Sequence, residues 1–237
     1  MVNFWRVVNE VIRKADVILE VIDARFPELS RNPELEEKIR KSGKKIIIVL
    51  NKSDLAKSLK MPENSVLVSA RNKLGTSLLK RKILSVARQD KITVGVVGYP
   101  NTGKSSVINA LSGKAKTSTS SQSGYTRGLQ FVNAGSRISL IDTPGVIPFG
   151  NKDEVLQAII GAKDPSNIKD PDLIAAKLIE ALDGKAERFY GVDMALDSYE
   201  KIEKIAEKKN ILVKGGTPNI DAMSRRIIMD WQRGVIK

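Results

Sequence analysis

A glycine-rich segment near the middle of the chain has the composition of a phosphate-binding loop. Residues 98–105 read GYPNTGKS and fit the pattern G-x-x-x-x-G-K-[ST]. Glycines let such a loop turn its N–H groups towards phosphate oxygens, while Lys104 would reach the β- and γ-phosphates and Ser105 would ligate Mg²⁺. The segment follows an apolar run and opens a helical pattern, which a plain glycine turn with a surface lysine would not require. The residues of this segment predicted to bind the nucleotide are Asn101, Thr102, Gly103, Lys104, Ser105 and Ser106.

A second candidate for phosphate and metal chemistry ends the apolar run at residues 137–142. Asp142 precedes Thr143, Pro144 and Gly145, and a carboxylate at the end of such a strand can hold Mg²⁺ through a bound water. The backbone N–H of Gly145 could approach a γ-phosphate. Because Asp-Thr-Pro-Gly is also an ordinary turn sequence, these residues alone leave both interpretations open.

A third segment has the acceptors needed to recognise a purine base. Residues 51–54 read NKSD directly after an apolar run. The Asp54 carboxylate can accept hydrogen bonds from N1–H and N2–H₂ of guanine, a pair of donors that adenine lacks. Asn51 would steady the site and approach N7, and the stem of Lys52 would pack on the ring. The alternative is a helix cap, with Ser53 or Asp54 as the capping residue.

A weaker signal completes the candidate base site. Ser69 and Ala70 follow a short apolar run at residues 66–68. The backbone N–H of Ala70 could donate a hydrogen bond to O6 of guanine. Two residues of such common types are not diagnostic, so this assignment depends on the other segments.

The elements that must position these segments alternate between strands and helices. That alternation predicts an α/β fold with a mainly parallel sheet and helices on both faces. The predicted strands are residues 17–22, 45–50, 66–68, 92–97, 129–132 and 137–141. The predicted helices are residues 3–14, 33–42, 74–88 and one that ends at residue 111.

The pattern changes near residue 150. Helices are predicted near residues 153–161, 170–182, 193–209 and 221–233, with no strand between them. We therefore expect two domains, an α/β domain at 1–150 and a small all-α domain at 151–237.

The charge is strongly positive and unevenly distributed. The chain has 40 Lys and Arg against 27 Asp and Glu, and the whole surplus lies in residues 1–150. This asymmetry favours a polyanionic partner such as nucleic acid, the alternative being a solvated surface.

Several kinds of chemistry are excluded by composition. The chain has no cysteine and no histidine, which rules out disulfides, thiolate metal sites and imidazole catalysis. No apolar run is long enough for a transmembrane helix, and the first residues lack the layout of a signal peptide. We therefore expect a cytoplasmic protein without a membrane partner.

Together, the four segments resemble the signature motifs of translation-factor-type P-loop GTPases, in a rotated order. Those proteins usually place the phosphate loop first, followed by Asp-x-x-Gly, Asn-Lys-x-Asp and Ser-Ala. Moving residues 1–90 behind residue 150 restores that order and places each strand and helix where the family has one. The chain is therefore similar to the circularly permuted ribosome-assembly GTPases of the YlqF/YawG family. Further matches are DARFP at residues 23–27 and NTGKSSVINAL at residues 101–111, and residues 214–234 match more loosely.

The resemblance implies a switch that binds GTP and GDP and hydrolyses GTP with Mg²⁺ as cofactor. It implies that Lys104, Thr126 and Gly145 act in catalysis and that Ser105, Thr126 and Asp142 serve the metal ion. Thr126 would lie in a switch loop at residues 112–128, although a flexible linker remains the alternative. The implied partners are rRNA and a ribosomal subunit, most readily the large one, with residues 151–237 as an RNA-binding domain on a monomeric protein.

Two residues bear on the hydrolysis rate. Many GTPases have a water-orienting glutamine after Asp-x-x-Gly, but this chain has Val146, which cannot orient water. The resemblance therefore implies slow intrinsic turnover that a partner increases. Asn101 matches an asparagine that coordinates K⁺ in related enzymes, the alternative being a turn asparagine.

Other functions remain open at this point. A nucleotide-gated RNA- or protein-binding module with negligible hydrolysis would have the same motifs. A GTPase that acts on tRNA would share the charge, and an ATP-using kinase would share the phosphate loop but not the need for Asp54.

Overall fold

The computed structural model describes residues 4–56, 61–87, 89–113, 129–142 and 153–236. The chain divides into two compact units, residues 1–151 and 152–237. Each unit has buried apolar residues of its own, so the two are described separately. Within the described ranges, no helix has the length and apolar character needed to cross a bilayer.

The first unit is built on one six-stranded sheet. Its strands are β1 (Val17–Asp23), β2 (Lys45–Asn51), β3 (Ser65–Leu67), β4 (Ile92–Val97), β5 (Gln130–Asn133) and β6 (Ile138–Asp142). Their order across the sheet is β3-β2-β1-β4-β6-β5, and only β5 is antiparallel to its neighbour. The predicted mainly parallel α/β fold is confirmed.

Helices cover both faces of this sheet. They are α1 (Phe4–Lys14), α2 (Pro27–Ser30), α3 (Pro33–Lys41), α4 (Thr76–Ala87) and α5 (Lys104–Ser112). Successive strand residues point to opposite faces, so Leu19 packs in the cluster with Leu79 of α4 and Ile108 of α5. Ile18 packs instead with Val11 of α1 and with α3. Because both faces are buried, the central strands are nearly continuous aliphatic runs.

The sheet order is that of a rotated chain. If the strands are renumbered from β4, with β1 placed after β6, the order from the β5 edge becomes 2-3-1-4-5-6. In that numbering strands 5 and 6 are each added beside the preceding one, as short crossovers favour. The order of motifs in the sequence and the order of strands in space therefore agree with one rearrangement.

The parallel arrangement brings the candidate motifs to one edge of the sheet. Asp23 at the end of β1 pairs in register with Asn51 at the end of β2. On the other side of β1, Val96 of β4 pairs with Asp142 of β6. Val96 lies two residues before Gly98, where the phosphate loop begins. Carboxyl ends of parallel strands form the usual ligand-binding edge of open α/β sheets.

The second unit is helical in its described part. Its helices are α6 (Glu154–Ile159), α7 (Pro171–Ala181), α8 (Lys185–Tyr190), α9 (Ser198–Lys208) and α10 (Ile220–Gln232). Trp231 is 1% exposed, and its indole N–H donates to the Ile159 carbonyl over 2.8 Å. Such burial identifies Trp231 as core rather than as a platform for a nucleic-acid base.

Some element predictions were wrong in detail. The predicted helix at 193–209 begins only at Ser198, because the Asp197 side chain caps it in a capping box with Glu200. The predicted helix at 74–88 begins at Thr76, because Leu74 forms a bridge with Ser69. The short helices α2 and α8 were not predicted, since four and six residues are too few to show a helical period.

Candidate functional site

The phosphate loop connects β4 to α5, and its two glycines are required by close backbone packing. Gly98 has φ +140°, and a Cβ there would lie 2.3 Å from the Val21 carbonyl oxygen of β1. Gly103 has φ +91°, and a Cβ there would lie 2.2 Å from the Asn51 side-chain nitrogen. Any larger residue would therefore displace either β1 or the candidate base site.

Lys104 is the first residue of α5 and is almost completely buried, with 7% of its surface exposed. Its Nζ donates to the Tyr99 carbonyl over 2.6 Å, inside the same loop. Burial lowers the pKa of Lys104 to about 8, although the Asp142 carboxylate opposes this shift. A carbonyl of the loop thus contacts a desolvated ammonium group, and a bound phosphate would place negative charge beside the Lys104 Nζ.

The remaining loop residues have different environments. Thr102 is fully buried, and its hydroxyl donates to the Tyr99 carbonyl over 2.9 Å, while Ser105 and Ser106 are half-buried. Asn101 is exposed and left-handed with φ +57°, a conformation that asparagine tolerates well. That conformation agrees with a turn role for Asn101 and leaves K⁺ coordination a prediction.

The metal site predicted from the sequence would take oxygen donors from the end of a strand and the start of a helix. Asp142 is the last residue of β6, and Ser105 is the second residue of α5, which follows β4, the partner of β6 in the sheet. Within the described ranges, no group of three or more acidic residues could hold a metal ion. This donor set fits Mg²⁺, which is commonly bound by one or two protein oxygens together with substrate phosphates and water.

Asn51 joins the phosphate loop to both base segments. Its Nδ2 donates to the Thr102 carbonyl over 2.9 Å, and its Oδ1 accepts from the Ala70 N–H over 3.1 Å. Only 2% of Asn51 is exposed. One amide side chain therefore fixes three separate segments, and the second hydrogen on Nδ2 remains for the N7 contact predicted from the sequence.

The base segment presents a carboxylate held from one side. The Ser69 hydroxyl, itself fully buried, donates to Oδ1 of Asp54 over 2.6 Å, while Asp54 is exposed. The 3₁₀ turn Ser53–Leu55 has no side-chain cap hydrogen bond, so the geometry does not support the helix-cap alternative. The Ala70 N–H already donates to Asn51, and a contact with guanine O6 requires it to be shared or released.

A contact that the sequence analysis did not assign involves Asp23, in the DARFP segment. Its buried carboxylate accepts from Lys52 Nζ over 2.8 Å and from Arg25 Nη2 over 2.7 Å. Lys52 is thus held by a residue 29 positions earlier in the chain. The unusual sequence DARFP was visible, but its link to Lys52 depends on the pairing of β1 with β2.

Three predicted residues lie outside the described ranges. They are Thr126 of the candidate switch loop, Gly145 after Asp142, and Val146. Their assignments therefore remain predictions.

The comparison with protein families decides the classification. Residues 93–213 match the model of the 50S ribosome-binding GTPase family, over more than half of the chain. The chain belongs to this GTPase family. The match begins at the strand that leads into the phosphate loop, which confirms the resemblance inferred from the motifs.

Curated relatives of this GTPase cover nearly its whole sequence. An uncharacterised GTP-binding protein of Methanocaldococcus jannaschii is 40% identical over 97% of this chain and 65% of its own length. Nucleolar GTP-binding protein 2 of Yarrowia lipolytica is 33% identical over 99% of this chain and 50% of its own length. The same protein of Saccharomyces cerevisiae is 32% identical over 99% of this chain and 52% of its own. The chain thus spans between half and two thirds of these relatives.

Solved structures show the same fold as this GTPase. The crystal structure of GNP-bound YlqF from T. maritima aligns with a TM-score of 0.69 at 25% identity, covering 98% of this chain and 94% of that one. A GDP-bound YlqF structure aligns with a TM-score of 0.66 at 25% identity, over 96% and 94% of the two chains. Both of those structures contain a bound guanine nucleotide, and the match to YlqF confirms the circular permutation inferred from the motif order.

Proposed function

We propose that this GTPase binds GTP and GDP at the carboxyl edge of its sheet and hydrolyses GTP to GDP. The observation that supports this most directly is the Asn51 side chain, which ties the phosphate loop at Thr102 to the base segment at Ala70. The Ser69 hydroxyl, next to Ala70 in the chain, holds the Asp54 carboxylate, which would select guanine.

Each site residue has a role in this proposal. Lys104 neutralises the β- and γ-phosphates, and Asp54 selects guanine. Members of this GTPase family generally use Mg²⁺, and here Ser105, Thr126 and Asp142 would hold it, where it would offset negative charge on the phosphates. Gly145 would contact the γ-phosphate and so distinguish GTP from GDP.

The proposed biological role is a switch in assembly of the large ribosomal subunit, acting through rRNA. It is supported by the relatives named nucleolar GTP-binding protein 2, by membership of the 50S ribosome-binding GTPase family and by the surplus of positive charge in residues 1–150. Polyanion binding by such a surface depends on salt through release of counterions. The expected cytoplasmic location and monomeric state belong to the same proposal.

Co-sedimentation with ribosomal subunits tests this role. We expect several-fold more protein to pellet with large subunits in the presence of a non-hydrolysable GTP analogue than with GDP, and the pelleted fraction to fall as salt rises. Excess tRNA serves as competitor, because displacement by tRNA would favour a GTPase that acts on tRNA. Equal pelleting in both nucleotide states, or none, contradicts the proposal.

Potassium is proposed as an activator of hydrolysis. With Val146 in place of a water-orienting glutamine, another group must stabilise the transition state, and a K⁺ ion held by Asn101 would supply positive charge there. Replacing Na⁺ by K⁺ is then expected to raise the single-turnover rate by roughly tenfold or more, and Asn101→Ala to remove the difference. Equal rates in both salts rule out this role.

A binding module gated by nucleotide is the second candidate, and Val146 is the observation that favours it. It differs from the first in predicting nucleotide-dependent ribosome binding without a matching increase in GTP cleavage. Measuring phosphate release in the co-sedimentation mixtures separates the two candidates.

A further inference from the structure

The segment Asp23-Ala24-Arg25 lies at the carboxyl end of β1, where the proposed nucleotide site has no assigned role for it. Asp23 is fully buried, yet its side chain is charged. Its Oδ1 accepts from the backbone N–H and the Nε of Arg25, each over 3.0 Å, and its Oδ2 accepts from Nη2 of Arg25 over 2.7 Å. The Arg25 guanidinium thus donates to both oxygens of one carboxylate, and this bidentate geometry fixes the orientation of the Asp23 side chain.

The backbone around Asp23 is fixed as well. The Asp23 N–H donates to the Ser30 hydroxyl over 3.0 Å, and that hydroxyl donates to the Phe26 carbonyl over 2.7 Å. The Ala24 N–H donates to the Asn51 carbonyl over 2.8 Å, which continues the pairing of β1 with β2. The carboxylate therefore has a defined position relative to the start of the base segment.

The fourth hydrogen bond to this carboxylate comes from Lys52. Its Nζ lies 2.8 Å from Oδ2 of Asp23, with 16% of the lysine side chain exposed. Lys52 also has a left-handed backbone with φ +61°, so both ends of the side chain are fixed. A lysine at such a turn would otherwise sample many rotamers of its four-carbon stem.

The charges in this cluster stabilise one another. Burial alone would raise the pKa of Asp23, but Arg25 and Lys52 outweigh it and lower that pKa to about 2. Burial lowers the pKa of Lys52, and the Asp23 carboxylate opposes that shift. With Nζ and Oδ2 in direct contact, each charge favours the charged form of the other group.

We propose that Asp23, braced by Arg25, is a positioning residue that holds the Lys52 stem where it packs on the guanine ring. The inference rests on the proposed function, since it requires the base to bind beside Asn51 and Asp54. By ordering Lys52 before the nucleotide arrives, the ion pair removes an entropic cost from binding. The carboxylate does not touch the base, so it adds affinity without adding selectivity among purines.

A double-mutant cycle on the affinity for a fluorescent GDP tests the proposal. We expect Asp23→Asn and Lys52→Met each to weaken binding by about tenfold, mainly through faster release, because ordering of one long side chain is lost. The double variant is expected to lose about tenfold rather than 100-fold, because both changes remove the same contact. Additive losses, or no loss with Asp23→Asn, overturn the proposal.

Three further measurements separate positioning from a purely structural role. Glu187→Gln breaks a comparable buried ion pair with Lys201 in the second unit and should lower thermal stability without changing GDP affinity. Asp23→Asn should weaken GDP and IDP binding by the same factor and leave their ratio unchanged. If Asp23→Asn does not fold, Arg25→Met can be tested in its place, because it keeps the contact between Asp23 and Lys52. Arg25→Met should weaken GDP binding by a smaller factor than Asp23→Asn. Unchanged GDP affinity in Arg25→Met would count against the proposal.

The nucleotide preference of wild-type protein tests the proposed function separately from the double-mutant cycle. Wild-type protein that binds GDP and GTP no better than ATP contradicts the proposed function itself. Wild-type protein that binds guanine nucleotides but gives an additive cycle contradicts only the role of Asp23.

Discussion

Replacing Lys104 with methionine is expected to weaken GDP and GTP binding by about 100- to 1000-fold, as loss of a buried charge-assisted contact to phosphate commonly costs that much. In the folded protein the Lys104 Nζ is buried and donates only to the Tyr99 carbonyl in the contacts described above. The cost of burying that cation is already present before nucleotide binds. Each phosphate contact therefore adds to affinity without a new desolvation cost on the protein side.

The same residue should make binding depend on pH. The pKa of Lys104 is lowered to about 8 by burial, and bound phosphates favour the charged form and raise it again. Below pH 8 the Lys104 side chain is already protonated before nucleotide binds. Above it, binding must take up a proton, so affinity falls as pH rises, by up to about tenfold per pH unit.

Isothermal titration of GDP between pH 7 and pH 9 in two buffers of different ionisation enthalpy measures both affinity and proton uptake. Lys104→Met retains the titration of the nucleotide itself and so serves as the control for it. The variant should also unfold at the same temperature as nucleotide-free wild type or at a higher one, because methionine removes a buried charge. A variant that keeps wild-type affinity and the wild-type pH profile contradicts this role of Lys104.

Local motifs predicted much of this fold because they carry strong constraints. Gly98, Gly103 and Lys104 have a spacing typical of a strand–loop–helix unit, and the aliphatic run before them predicted a buried strand. The order of motifs also predicted the circular permutation, and the observed strand order agrees with it. The order of the strands across the sheet was not predicted.

What the sequence did not predict depends on contacts between distant residues. The pairing of Asp23 with Lys52 arises from the register of β1 and β2, which no local pattern specifies. The bond from Ala70 to Asn51 likewise joins segments 19 positions apart. Helix α8 was missed for a different reason, because glycines at 184 and 191 allow a short helix that is too brief to show periodicity.

The exchange of one atom at Asp54 should change which purine the protein prefers. Guanine offers two donors, N1–H and N2–H₂, to the two oxygens of this carboxylate, whereas xanthine has a carbonyl in place of the N2 amine. In Asp54→Asn, the amide oxygen still accepts from N1–H of guanine. The amide nitrogen, however, faces the N2 amine, and both of these groups are hydrogen-bond donors. With xanthine the same nitrogen donates to the carbonyl.

The Ser69 hydroxyl, which donates to Oδ1 of Asp54 over 2.6 Å, favours one orientation of the new amide. Because this hydroxyl already accepts from the Asn72 N–H over 3.3 Å, it donates more readily to an amide oxygen than it accepts from the amide nitrogen, which favours the oxygen at Oδ1 and the nitrogen at the second position. Asp54→Asn is therefore expected to lose about 1000-fold in GDP affinity while gaining XDP affinity, since a buried pair left unmatched discriminates by that order or more.

Competition of GDP, XDP and ADP against a fluorescent nucleotide measures this change, with Asp54→Ala and Ser69→Ala as controls. Asp54→Ala should lose GDP affinity without gaining XDP affinity, because it has no group to pair with either base. Ser69→Ala combined with Asp54→Asn should blunt the preference for XDP, because the amide can then turn over. If Asp54→Asn still prefers GDP to XDP, the carboxylate does not contact the purine edge. In that case the hydrogen bonds that link Asn51 with Thr102 and Ala70 would hold together a phosphate site with no means of selecting its base.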